Sequence, residues 1–109
     1  MNTVSFKDFQ KLDIRVGEIL SAEPIPETDK LMRLTVDLGE EGVRQIVAGI
    51  AEYKSAEELI GTRCAFVANL EERTIRGVKS QGMVLAALSE GTLSLLAVDS
   101  DIPAGTRVS

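Results

Sequence analysis

The chain has 109 residues, enough for one domain, and carries 12 Lys and Arg against 17 Asp and Glu, a net charge of −5 with no histidine. That balance argues against a strongly cationic nucleic-acid binder but leaves room for a local basic patch. No apolar run approaches the roughly 18 residues of a bilayer span, "MNTVSFKDFQ" lacks a signal-peptide core, and the lone Cys64 closes no internal disulfide, so the expected setting is cytoplasmic, with no membrane partner.

In chain order, "SFKDF" places Ser5 to cap a short helical turn. "LDIRVGEILSAE" alternates at strand period. Leu12, Ile14, Val16 and Leu20 share one face, Asp13, Arg15, Gly17 and Ser21 the other, and Glu18 interrupts the apolar side. "PIPETDK" is a loop, because two prolines cannot donate to a ladder. "LMRLTVDLG" is a second strand with Met32, Leu34, Val36 and Leu38 inward. "GEEG" turns the chain, and "VRQIVAGI" returns as a third strand. With Glu40 and Glu41 at the centre of that turn, Asp37 would face Arg44 as an ordinary cross-strand charge pair.

"SAEELIG" reads as a short helix, with Ser55 and Glu58 as a capping box and Gly61 as the stop. "TRCAFVANL" is a fourth strand with Cys64, Phe66, Ala68 and Leu70 on one face. "MVLAAL" is nearly all apolar, the pattern of a fifth strand buried on both sides. "TLSLLAV" adds a sixth segment and "DIPAGTRVS" closes the chain. The expected class is all-β: a five-stranded OB-fold barrel with a short helix between strands three and four, forming a single domain over residues 1–109. OB barrels bind ligands on the strand 2–3 face and in the 1–2 and 4–5 loops.

Catalytic chemistry is hard to assemble from these residues. Histidine, the usual base near neutral pH, is missing. Zinc ligation would rest on Cys64 alone, and Cys64 sits on an apolar strand face, as a core residue does. Lys79 and Ser80 are adjacent, and adjacent side chains in an extended segment point apart. Gly77 and Gly82 match neither a phosphate loop nor a dinucleotide fingerprint; turn geometry accounts for them. No enzyme activity, metal or cofactor is expected.

Five stretches together resemble a known family: "DIRVG" (13–17), "TDKL" (28–31), "RQIVAGI" (44–50), "AEELIG" (56–61) and "NLEERTIRGVKSQGMVLAA" (69–87). In order and spacing they are similar to the tRNA-binding domain family. That family includes the C-terminal domain of methionyl-tRNA synthetase, its free-standing beta-subunit-like relatives, the endothelial monocyte-activating polypeptide domain and the CsaA chaperone-like proteins. The resemblance implies an OB-fold that binds tRNA by shape and backbone. It also implies a homodimer, with dimerisation extensions around Phe6 and Phe9 and from Leu93 to Val108. An aminoacyl-tRNA synthetase is an implied partner.

Carried onto this sequence, the family's tRNA-facing positions are Lys30 in the 1–2 loop, Arg44 in strand three, and Asn69, Arg73, Arg76, Ser80 and Met83 around the 4–5 loop. Lys79 and Gly82 lie in the same loop. Arg and Lys neutralise phosphates, Asn and Ser can hydrogen-bond phosphate or 2′-hydroxyl groups, and Gly82 permits close backbone approach. Met83 offers a polarisable apolar contact, or simply fills a core. Where relatives carry Lys-Pro after Asn-Leu, this chain has Glu71-Glu72, leaving a net charge of +1 from Asn69 to Gly82. One Tyr and three Phe supply little aromatic platform for stacked bases. The leading expectation is a non-catalytic tRNA-binding module, an auxiliary factor or beta subunit of methionyl-tRNA synthetase. The alternative is a CsaA-like peptide-binding chaperone.

Overall fold

The structure is a computed structural model that describes residues 1–109. A short helix α1 (Phe6–Phe9) precedes strands β1 (Ile14–Pro24), β2 (Met32–Asp37) and β3 (Val43–Ala48). Then come α2 (Ala56–Leu59), β4 (Arg63–Val67), β5 (Arg73–Ile75), β6 (Val78–Ser80) and β7 (Met83–Val84). The chain ends with β8 (Ala86–Ser89), β9 (Thr92–Leu95) and β10 (Arg107–Val108). Strands β3-β2-β1-β4-β7 form one antiparallel sheet, and β10 joins the free stretch of β1. The sheet curls until β3 meets β6 and β7, which makes a nearly closed five-stranded barrel with α2 between its third and fourth strands. This is the expected OB-type architecture.

β1 organises the barrel because it pairs with β2, β4 and β10. A bulge between Ile19 and Ser21 lets so long a strand curl. It also shifts the side-chain phase by one. Gly17 and Ile19 face the main core before it and Ala22 after it, Ile14 lies on the opposite face with Ala65 and Val67, and Leu20, the extra residue, is exposed instead of lying on an apolar face as the alternation suggested. Gly17 has no room for a side chain: a Cβ there would lie 2.6 Å from both Phe66 Cδ1 and Val36 Cγ1. Its absence admits the Phe66 ring, which is fully buried with Ile19, Leu34, Val36, Leu38 and Ile46 in the main core.

β4 is buried on both faces, not one. Cys64 and Phe66 enter the main core, while Ala65 and Val67 pack with Ile14, Leu85 and Val108 in a second, smaller cluster. Leu70, expected to continue the inner face, lies beyond the strand and is exposed. Burial pushes the Cys64 thiol up to about 11, so it is neutral in the core at physiological pH. The α2 cap is as read from sequence. Ser55 Oγ accepts from the Glu58 amide, and the Glu58 carboxylate accepts from the Ser55 amide. Those bonds hold the Glu58 carboxyl below the usual range.

Two expectations fail for local reasons. The β2–β3 connection loops out three residues, Gly39–Glu41, and closes with the Leu38 amide donating to the Gly42 carbonyl at 3.0 Å. The register therefore sets Asp37 against Val43 and Val36 against Arg44, so the Asp37–Arg44 pair does not form. "MVLAAL" is not one strand buried on both sides. β7 pairs with β4 at Phe66–Val84 and Val67–Met83, the Leu85 amide donates to the Ala65 carbonyl at 3.0 Å, and the chain beyond forms the β8–β9 hairpin. All of β8 is exposed, including Leu88. At the far end, Phe6, Phe9 and Leu12 meet Arg107 and Val108 in a cleft of about 190 Å³. No helix is long and apolar enough to cross a membrane.

Candidate nucleic-acid interface

The 4–5 connection is a hairpin rather than an open loop. β5 and β6 pair Arg73 with Ser80, Thr74 with Lys79 and Ile75 with Val78. The two turn residues, Arg76 and Gly77, have φ of 53° and 79°. Positive φ at both central positions is the two-residue turn whose twist matches a hairpin. Cross-strand neighbours share a face. Ile75, Val78 and buried Ser80 therefore line the face that meets the barrel, with Arg73 at its end. Thr74 and Lys79 occupy the other face, and Arg76 stands at the tip.

The tip reaches the 1–2 loop. Arg76 and Lys30 line one open cleft of about 330 Å³ together with Glu27, Thr28, Asp29 and Leu31. Two segments far apart in sequence thus bring two exposed cations to one rim.

Ion pairing separates the cations that phosphate could reach from those already engaged. Six of the twelve basic residues have a carboxylate partner: Lys11, Arg15, Arg33, Arg44, Arg63 and Lys79. Arg15 is the most committed. It bonds Asp13 at 2.8 Å and the Gly105 carbonyl at 3.1 Å, and the Asp13 hydrogen bond is the main cause of its raised pKa. Lys79 is held at 3.7 Å by Glu72, which also accepts from Gln81 at 3.4 Å. Half of the unpaired cations, namely Lys30, Arg73 and Arg76, lie on the 1–2 loop and the hairpin.

The remaining sequence-predicted site residues are placed otherwise. Arg44 donates to the Ala68 carbonyl at 2.9 Å, lies 3.9 Å from Glu41 and does not line the cleft. Asn69 uses both ends of its amide internally, accepting from the Asp13 amide at 2.8 Å and donating to the Lys11 carbonyl at 2.7 Å. Ser80 is 4% exposed, and its hydroxyl accepts from the Val47 amide at 3.0 Å and donates to the Gly82 carbonyl at 3.1 Å. At Gly82, φ is 142° and a Cβ would lie 2.8 Å from the Val67 carbonyl oxygen, so packing inside the barrel requires glycine there. Met83 is exposed on the edge of β7. Sequence reasoning missed Gln45 and Gln81, which join β3 to the base of the hairpin. The available signal was the polar pair Ser80-Gln81 set between two apolar runs.

A nearly closed antiparallel barrel with free cations on its 1–2 loop and 4–5 hairpin defines an OB-fold binding domain. The family model described as "Putative tRNA binding domain" matches residues 14–107, and the chain belongs to that family. It is 50% identical over 108 residues to a methionine–tRNA ligase of Thermotoga maritima, covering 99% of this chain and 17% of the relative. To the methionine–tRNA ligase of Caldanaerobacter subterraneus subsp. tengcongensis it is 48% identical over 106 residues, covering 97% and 16%. The chain thus spans about a sixth of the length of these curated relatives.

Among solved structures, a MetRS-related protein from Pyrococcus horikoshii superimposes with a TM-score of 0.94 at 40% identity, all of both chains being covered. The chaperone CsaA from Bacillus anthracis superimposes with a TM-score of 0.88 at 34% identity, covering 99% of this chain and 100% of that one.

Proposed function

We propose that this chain is a non-catalytic tRNA-binding module that docks the RNA backbone against the rim formed by Lys30 and Arg76 and against Arg73 at the base of the same hairpin. The observation that carries this reading is the concentration of unpaired cations on the 1–2 loop and hairpin of a tRNA-binding-family domain. Recognition is of shape and phosphate, because the rim residues carry charge and no aromatic platform stands among them. Arg44 and Lys79 join only where RNA outcompetes Glu41 and Glu72. The acidic remainder of the molecule repels phosphate and confines docking to this rim.

The setting proposed is cytoplasmic, with an aminoacyl-tRNA synthetase as a partner, by similarity to methionine–tRNA ligases. The module acts as a homodimer. The exposed apolar residues of α1 and β8, Phe6 and Leu88 among them, form the surface that a second copy covers. The same apolar exposure favours the alternative of a CsaA-like chaperone that holds unfolded peptide.

Salt-titrated binding of total tRNA tests the first reading. Three to four phosphate contacts give a log-log slope of about −3 to −4. No binding at low salt, together with suppression of aggregation of a denatured client, would establish the chaperone instead.

A further inference from the structure

The barrel is closed along one seam mainly by side chains. β3 is the last strand of the sheet, so its outer edge would present unpaired amides. Four hydrogen bonds cross from it to residues 79–81. Only one is backbone to backbone, the Gln81 amide to the Gln45 carbonyl at 2.8 Å. The Val47 amide donates to Ser80 Oγ at 3.0 Å, and the Gln45 amide to Gln81 Oε1 at 3.1 Å. Gln45 Nε2 donates to the Lys79 carbonyl at 2.8 Å. Ser80 is the one polar residue among the buried set.

These bonds fall at the foot of β6, directly below the Arg76–Gly77 turn. An isolated two-stranded hairpin is marginal in water. The β5–β6 pair belongs to no larger sheet, so its direction depends on what holds its base.

We propose that Ser80, Gln81 and Gln45 are positioning residues: they clamp the hairpin to β3 and so aim Arg76 at the rim it shares with Lys30 and hold Arg73 beside it on the same hairpin. This rests on the tRNA-docking reading. It gives Ser80 a role through Val47 and Gly82 rather than through RNA, which its buried, doubly engaged hydroxyl does not reach.

The test is Ser80→Ala, read by tRNA affinity, salt slope and amide hydrogen exchange of the free protein. The clamp predicts about tenfold weaker binding and a slope shallower by about one to two, since hairpin phosphate contacts are lost together. It also predicts less than about a twofold further loss when S80A is added to R73A/R76A, because coupled residues do not add. In the free protein the Val47 and β5–β6 amides should exchange about tenfold faster while those of β1 and β2 hold their protection.

Weaker binding at unchanged salt slope, additive with R73A/R76A, would mean that Ser80 touches RNA directly and would overturn the clamp. Wild-type affinity in S80A would overturn it as well. If S80A does not fold, Gln81→Ala, at a half-buried position at the base of the hairpin, carries the same readouts. If the wild type binds no tRNA, the docking reading falls, and unchanged exchange in both variants would sink the clamp separately.

Discussion

Two hairpins leave this barrel with the same turn and opposite surfaces. β5–β6 turns through Arg76 and Gly77, with φ of 53° and 79°. β8–β9 turns through Glu90 and Gly91, with φ of 48° and 81°. In both, a non-glycine residue and then a glycine take positive φ, so backbone geometry does not distinguish them. Side chains do. The first hairpin packs Ile75, Val78 and Ser80 toward the barrel and shows charge to solvent. The second buries Leu93 but leaves Leu88 more than half exposed. A turn fixes where a hairpin goes; the residues beside it fix what the hairpin can meet.

The largest effect is expected at the apolar hairpin. Leu88→Glu should place a charge in the surface assigned to the second copy and raise the dimer dissociation constant about 100-fold or more. Light scattering across a dilution series measures this, and a monomeric wild type at micromolar concentration would remove the assignment altogether. tRNA binding per chain at low salt should survive.

At the cationic hairpin, Arg76→Ala should weaken tRNA binding by about 1 kcal/mol or more and make the salt slope shallower by about one. Melting temperature should hardly change, because an exposed loop charge contributes little to stability. Arg76→Asn separates charge from turn. Asn-Gly suits this turn at least as well, so an equal loss of affinity assigns the effect to the guanidinium.

The two glycines give a matched pair. Nothing lies within 4 Å of a Cβ at Gly77 or Gly91, so Gly→Ala at either site meets only the backbone cost of positive φ, about 1 kcal/mol. Thermal melts of Gly77→Ala and Gly91→Ala should shift alike. Filter binding should respond to the first and sedimentation to the second. A shared pattern of functional loss would mean that the hairpins are not separate surfaces.

The smallest effect is expected at Glu72→Gln. It releases the Lys79 ammonium from its 3.7 Å partner and should tighten tRNA binding by about 0.5 kcal/mol at low salt, fading as salt rises. Unchanged affinity would show that Lys79 stays off the RNA.

Legibility in the sequence followed the range of the forces involved. The α2 capping box was readable because Ser55 and Glu58 interact three residues apart. The strands of the barrel were readable from alternation. The bulge at Leu20 was not, because an extra residue leaves the composition unchanged while inverting the phase beyond it. Apolar composition could not distinguish a segment buried by its own chain from one left at the surface, and "MVLAAL" was misplaced for that reason. At the rim, the residue types were visible in "ERTIRGVK". Which cations stay free was not, because Glu41 and Glu72 choose their partners only after the hairpins form. The commitments of Asn69 to Lys11 and Asp13, and of Ser80 to Val47, span tens of residues and have no local signature.

β1 and β10 lie side by side, Ile14 across from Val108 and Arg15 across from Arg107. The entrance and exit of the barrel therefore form one doorway. A polypeptide passing through it leaves close to where it came in, and neither path needs to cross the barrel. Such a unit is portable: it can hang from the end of a larger protein or be spliced into a surface loop with its fold undisturbed. Circular permutation should be equally permissive, with a short linker joining the two ends and new termini cut at the exposed Glu90–Gly91 turn.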